Sequence, residues 1–238
     1  MRTDLEWLTE RPIAHRGFHD LNRARWENSP AAFRAAVEAG FAIECDVQPL
    51  ADGQVATFHD DDLTRLTGRD GSIRSLGAGD LEGLRLGGTP DAPQTLEATL
   101  DLVAGRVPIV IELKGFGPGQ DDFAERVAAA LDGYDGHAAV MSFDQFLVRD
   151  LRGAVPDRPC GLTAEGTREA QLDTHRRIAD EVDFISYGVN DLPNPFVEAF
   201  RATGRPVITW TVRTAEQREL TRRHADQMTF EGFDPRDG

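Results

Sequence analysis

The sequence predicts an α/β chain closed into a (β/α)8 TIM barrel, with a small insertion after the second strand. Three observations carry that expectation. Short β-rich runs alternate with helical segments about eight times along the 238 residues, without an internal repeat or a linker long enough to divide domains. No glycine-rich phosphate fingerprint follows the first strand, so an open doubly wound sheet is the weaker alternative. Polar residues with chemistry to offer fall at the C-terminal ends of the strand runs, the rim on which barrels of about 250 residues carry their active sites.

The elements follow in order. Residues 12–15 form the first strand, ending in Arg16-Gly17, and a polar loop runs from Phe18 through Trp26. Ser29 is a good N-cap and Pro30 suits the first helical position, so a helix runs through Ala39 and stops at Gly40. The second strand covers residues 41–47, Asp52-Gly53 turns the chain, and residues 55–58 return as a short strand before His59. Residues 60–93, rich in Gly, Asp and Thr, are the insertion, with the size of a small lobe or lid. Thr95 caps a helix to Val103 that Gly105 stops, and residues 107–113 form an apolar strand. Asp121 or Asp122 opens the next helix, through Leu131. Strands over 138–142, 159–162, 184–187, 206–212 and 227–230 then alternate with helices over 145–151, 168–179, 195–202 and 215–223, and no full helix follows the last strand. The whole of residues 1–238 reads as one barrel domain.

Composition excludes several classes of function. A formal charge of −15 argues against a nucleic-acid or anionic-membrane binder, and any anionic substrate would need local positive charge. No apolar stretch approaches the roughly 18 residues of a membrane span. The segment opening Met1-Arg2-Thr3-Asp4 lacks a signal-peptide core, and two cysteines, Cys45 and Cys160, suit a reducing compartment, so the chain reads as cytoplasmic. Basic residues number 26, and Lys114 is the only lysine among them, two residues after Glu112.

The chemistry centres on Ile43-Glu44-Cys45-Asp46-Val47. On a strand Glu44 and Asp46 share a face while Cys45 takes the other, toward the helical layer. Two acids on one buried face repel each other and lose hydration unless a cation stands between them. A hard divalent ion with oxygen ligands answers that need; acids facing water at a strand end, or paired with arginine, are the plainer alternative. His15, Arg16, His59, Glu112, Lys114 and Trp210 also stand at strand ends. Each alone has a structural reading, but together they place two histidines, three acids, an arginine and the lone lysine on one rim. His19, His137, His175 and His224 read as loop or helix-surface residues.

With these residues in view the chain resembles the glycerophosphodiester phosphodiesterase family. The motif series His15-Arg16-Gly17, Glu27-Asn28-Ser29, Glu44-Cys45-Asp46-Val47, His59-Asp60, Leu63-Thr64-Arg65-Leu66-Thr67-Gly68, Glu112-Leu113-Lys114 and Trp210-Thr211-Val212 matches that family in order and approximate spacing across nearly the whole chain. The resemblance implies a barrel with an insertion where residues 60–93 stand. It implies a small-molecule glycerophosphodiester substrate, hydrolysed to sn-glycerol 3-phosphate and an alcohol. Carried over by position, Glu44, Asp46 and Glu112 hold Mg²⁺ or Ca²⁺, for which an oxygen-only donor set is better suited than for zinc. Arg16 and Lys114 meet the phosphate. His15 and His59 are the acid–base pair, one deprotonating the neighbouring glycerol hydroxyl to give a cyclic phosphate while the other protonates the departing alcohol. Glu27 and Asn28 orient the first-strand groups or the substrate, and Trp210 with Phe18 forms an apolar wall.

The chain departs from the family pattern in a longer, more charged Phe18–Trp26 loop, in Pro93-Gln94-Thr95-Leu96 where Pro-Thr-Leu is usual, and in Thr229-Phe230-Glu231 where a Thr-Asp pair is common. Three rival functions share parts of the signal. A lysophospholipase D would need an acyl groove. A metal-dependent lyase would not need both histidines, and an anion sensor would bind without turnover.

Overall fold

The computed structural model describes residues 5–115 and 122–237. In chain order its principal elements are α1 (Glu6–Thr9), β1 (Ile13–Ala14), α2 (Pro30–Ala39), β2 (Ala42–Pro49), β3 (Val55–Thr57), α3 (Thr64–Thr67), α4 (Ala78–Leu81), β4 (Gln94–Thr95) and α5 (Leu96–Val103). There follow β5 (Ile109–Leu113), α6 (Phe123–Leu131), β6 (Ala138–Ser142), α7 (Gln145–Ala154), β7 (Cys160–Ala164), α8 (Glu169–Ile178), β8 (Phe184–Gly188), α9 (Pro195–Arg201), β9 (Val207–Val212), α10 (Ala215–His224) and β10 (Gln227–Phe230). Strands β1, β2 and β5 to β10 pair in parallel in that order, and β10 returns to β1, closing an eight-stranded barrel. The expected (β/α)8 architecture is the observed one. Strand β3 folds back antiparallel on β2 and carries β4 at its other edge.

Local chemistry sets the boundaries. The Ser29 hydroxyl accepts from the Ala32 amide at the start of α2, and Gly40 ends that helix with a left-handed φ of 75°. Thr95 caps α5 through the Ala98 amide. The stop expected at Gly105 comes one residue earlier, because Ala104 itself turns left-handed and gives its N–H to the Leu100 carbonyl. Asp122 is the N-cap of α6; Asp121 and the first four residues lie outside the described residues. No helix follows β10 among the described residues.

Alternation along the strands divides the interior into two layers. Ile43, Cys45, Val47, Ile109, Ile111 and Leu113 point outward, into a core shared with Phe33, Leu96, Leu100 and Val127 of the surrounding helices. Their neighbours point into the barrel. At its N-terminal end Ala42, Val110, Ala139, Met141 and Ile208 pack with Trp7 and Leu8, so α1 plugs the bottom. Higher up, the inward positions become polar, as Glu44, Asp46 and Glu112. The apolar floor and the polar rim come from the same strands.

Residues 60–93 gather around a core of their own. Leu63, Leu66, Ile73, Leu81, Leu84 and Leu86 pack on Leu50, Ala56 and Phe58 beneath Trp26. Each fully buried Leu or Phe stabilises by about 2 kcal/mol. Trp26 lies so close to Gly87 that a β-carbon there would sit 1.8 Å from its ring, so the lobe is fitted to the Phe18–Trp26 loop. No helix among the described residues is long and apolar enough to cross a membrane.

Candidate active site

The tight turn at the end of β1 sets the first groups in place. Arg16 and Gly17 both take positive φ, of 56° and 80°. A β-carbon on Gly17 would lie 2.9 Å from that of Ala32, so only glycine lets the turn press against α2. The Arg16 amide donates to Glu44 Oε2 at 2.9 Å, tying the turn to the acid on β2.

Glu44, Asp46 and Glu112 converge with carboxylate oxygens within 4.8 Å of one another, all three buried. Register explains it: Glu44 pairs with Val110 and Asp46 with Glu112 across β2 and β5, which puts the three acids on one inward face. Burial, then repulsion from Asp46 and Glu112, pushes Glu44 well above the usual carboxylate range. Glu112 is raised too, first by burial, although Lys114 opposes it. Burial works against Asp46 as well, yet Lys114 and Arg16 hold it well below its ordinary value. Lys114 Nζ donates to Asp46 Oδ1 at 2.8 Å and to Glu112. Arg16 spends its guanidinium on Glu27 Oε1 (2.6 Å) and Asp46 Oδ2 (3.1 Å). Both cations therefore face acids. A buried, oxygen-only, mutually repelling triad fits a hard divalent cation.

Both expected histidines are held by a carboxylate on the same ring nitrogen. His15 Nδ1 lies 2.6 Å from Glu231 Oε2, and His59 Nδ1 lies 2.5 Å from Asp60 Oδ1. Burial opposes ionisation of Glu231, but His15, His19 and Arg213 hold it far below the usual range, so it is an acceptor. Asp60 is likewise lowered, against burial, by Arg65 and His59. Each Nδ1 therefore carries the proton and each Nε2 is left for chemistry. His15 Nε2 stands 4.0 Å from Glu44 Oε2. Burial pushes both histidines below the ordinary value.

A second set of contacts joins the insertion to the barrel. Arg65 Nε and Nη2 donate to Asp60 at 2.6 and 2.8 Å, and its Nη1 and Nη2 donate to Glu27 at 2.9 and 2.8 Å. Glu27 also takes Arg16 and Asn22. Its carboxyl falls to about 2 although burial alone would raise it. A continuous chain of charge runs His59–Asp60–Arg65–Glu27–Arg16–Asp46. Asn28 Nδ2 donates to Asp46 Oδ2 at 2.9 Å, with Asn28 at a φ of 52°. Glu27 and Asn28 thus stand behind the pocket, Glu27 on Arg16, which lines it, and Asn28 on the buried Asp46.

The pocket itself measures about 530 Å³ and is lined by His15, Arg16, Glu44, His59, Glu112, Lys114 and Trp210 among others. Phe18 is elsewhere: its ring packs edge-on against Phe41 and tilted against Phe230, in the outer core, because the Gly17 turn directs it there. Phe143 meets Trp210 instead, at 5.3 Å and nearly perpendicular. His19 corrects the surface reading as well. It is buried, with Nδ1 accepting from the Leu21 amide and Nε2 3.7 Å from Glu231. Glu231, Asp60 and Arg65 were not among the candidate site residues. A carboxylate directly after the last strand was the available signal for Glu231.

Residues 15–231 match the model of the glycerophosphoryl diester phosphodiesterase family. The chain is 29% identical over 219 residues to a glycerophosphodiester phosphodiesterase of Caldanaerobacter subterraneus subsp. tengcongensis, covering 87% of each protein. Its fold is shared with an Oleispira antarctica phosphodiesterase solved with the product sn-glycerol 3-phosphate (TM-score 0.82, 21% identity, 94% of each chain). The Thermotoga maritima glycerophosphodiester phosphodiesterase also shares it (TM-score 0.73, 24% identity, 92% of each chain).

Proposed function

The chain belongs to the glycerophosphoryl diester phosphodiesterase family and is a phosphoric diester hydrolase, and from that premise we propose that it releases sn-glycerol 3-phosphate and an alcohol by two-histidine catalysis at His15 and His59. One observation carries the mechanism: both imidazoles are pinned through Nδ1 to an ionised carboxylate and line one pocket with Arg16 and Lys114. One Nε2 takes the proton of the glycerol hydroxyl next to the phosphate. The oxygen attacks phosphorus, the alcohol leaves with the Nε2 proton of the other histidine, which enters this step as the imidazolium, and a cyclic phosphate remains. Water then opens the ring with the roles exchanged. Glu231 and Asp60 stabilise the imidazolium that forms at each stage, as an orienting carboxylate does in other histidine dyads.

In this reading Glu44, Asp46 and Glu112 hold Mg²⁺ or Ca²⁺, which when bound supplies Lewis-acid polarisation of a phosphate oxygen. Arg16 and Lys114 add the positive charge that a protein of net charge −15 otherwise denies an anionic substrate. Glu27 and Asn28 orient Arg16 and Asp46, and Trp210 forms an apolar wall. The same reading takes residues 1–238 as one domain acting in the cytoplasm, with Cys45 and Cys160 buried as free thiols.

The test is release of glycerol 3-phosphate from glycerophosphocholine with Mg²⁺, Ca²⁺ or EDTA, beside His15→Ala and His59→Ala. Metal-dependent release lost in both variants is the expected result. Near-normal turnover in both would sink the two-histidine scheme.

A further inference from the structure

We propose that the half of the pocket facing the histidines is a headgroup subsite for a cationic amino alcohol, formed by Trp210, Phe143, Glu165 and Asp191; it rests on the hydrolase reading above. Strand order around the barrel divides the pocket in two. The histidines, the acid triad, Arg16 and Lys114 come from the ends of β1, β2 with its β3 return, and β5. Phe143, Glu165, Asp191 and Trp210 come from the ends of β6, β7, β8 and β9, on the opposite side. A phosphodiester with its phosphorus among the first group directs its alcohol toward the second.

The chemistry of that second wall suits a cation. Phe143 and Trp210 meet nearly at right angles (89°), giving two walls of an aromatic corner, and the Phe143 residue is 44% exposed. Trp210 is fixed by its indole N–H, which donates to the Ser186 carbonyl at 3.1 Å. Beside the rings stand two carboxylates that form no ion pair among the described residues, Glu165 and Asp191. Both are held on a braced backbone. The Gly166 amide donates to Asp191 Oδ2 at 2.7 Å, while the Gly166 carbonyl accepts from Tyr187 (2.6 Å) and Asn194 (3.1 Å). Among the described residues that line this side of the pocket the one basic group, Arg213, is engaged with Glu231 Oε1 at 2.6 Å. Two acids without a basic partner beside an aromatic corner complement an ammonium, and the quaternary form gains most from the rings.

The experiment compares kcat/KM for glycerol 3-phosphate release from glycerophosphocholine and glycerophosphoethanolamine with that from glycerophosphoglycerol and glycerophosphoinositol, whose headgroups are uncharged. A preference of about tenfold for the cationic pair is expected. Glu165→Gln and Asp191→Asn should shrink that ratio, and Phe143→Ala should cost glycerophosphocholine more than glycerophosphoethanolamine. Titration with choline alone, read by tryptophan fluorescence in the wild type and in Glu165→Gln/Asp191→Asn, decides the point without turnover. Equal kcat/KM for all four headgroups, a ratio untouched by the carboxylate variants, or choline bound equally by wild type and double variant would overturn the subsite. Absence of release from every diester would instead strike the hydrolase reading, with choline binding still judging the subsite.

Discussion

Glu231→Gln is the most informative single change, because it keeps the shape of the side chain and alters only what His15 meets. In the wild type one carboxylate oxygen takes the Arg213 Nε–H at 2.6 Å and the other faces His15 Nδ1 at 2.6 Å. Arginine can only donate, so the single amide oxygen of glutamine turns to Arg213 and the NH₂ turns to His15. The imidazole then has to accept at Nδ1, which moves its proton to Nε2, the nitrogen required for catalysis. Loss of a charge-assisted hydrogen bond alone is worth about 1.5–3 kcal/mol, a factor of about 10 to 100 in rate. The tautomer change adds to it, so the expected loss in kcat/KM is about 100-fold or more. Burial no longer opposed by Glu231 also drives the His15 pKa further down, and the limb of the pH–rate profile that reports it moves to lower pH. The double variant Glu231→Gln/Arg213→Ala frees the amide to rotate its oxygen toward His15 and should recover part of the activity. Steady-state release of glycerol 3-phosphate across pH 5–9 checks all three. A single variant within twofold of wild type, with an unmoved profile, would refute the assignment of Glu231 as the group that positions His15.

Arg65→Lys should lower kcat by about tenfold, because an ammonium cannot bridge Asp60 and Glu27 as the guanidinium fork does; activity equal to wild type would dismiss the clamp on His59. Without divalent ions, Glu44→Gln should raise the thermal midpoint, since it removes one charge from a buried triad whose repulsion already pushes Glu44 toward its neutral form; a lower midpoint in EDTA would contradict this. Added Mg²⁺ or Ca²⁺ should stabilise the wild type more than that variant. For Glu27 the folded carboxyl lies at about 2, depressed from 4.5. It therefore contributes stability that is complete above pH 4.5 and lost as the pH falls toward 2, of about 3 kcal/mol. Urea midpoints between pH 7 and 3 should fall less steeply in Glu27→Gln than in wild type.

Much of the barrel is written in local chemistry. Ser29, Pro30 and Gly40 bracket α2, and the bounds of Ala138–Ser142 and Gln227–Phe230 are those read from the apolar runs. Glu44 and Asp46 share a face because strand periodicity demands it, and the parallel register with β5 brings Glu112 to them. What was not legible depends on partners distant in sequence. Glu231 and His15 are 216 residues apart, and no local pattern links them. His19 reads as a loop residue until the closing of the ring buries it beside Glu231. Phe18 sits next to a glycine whose left-handed turn reverses the expected direction. The short helices α3 and α4 leave no mark in the sequence, because four-residue segments carry no helical period. The sequence points to Arg16 and Lys114 as phosphate ligands, and the structure adds that each is first a counter-ion to buried acid.

The closure of β10 onto β1 bears on when during synthesis the protein can become active. A nascent chain that ends just after β9 already contains both histidines, the three clustered acids, Trp210 and the complete insertion. It lacks the strand that pairs Thr229 with Ile13 and Phe230 with Ala14, and the carboxylate that follows. Parallel closure across such a span is slow compared with local folding. Turnover should therefore remain silent on the ribosome until the last strand has cleared the exit tunnel, and then arise in one step, with the ring and the His15 dyad completed together.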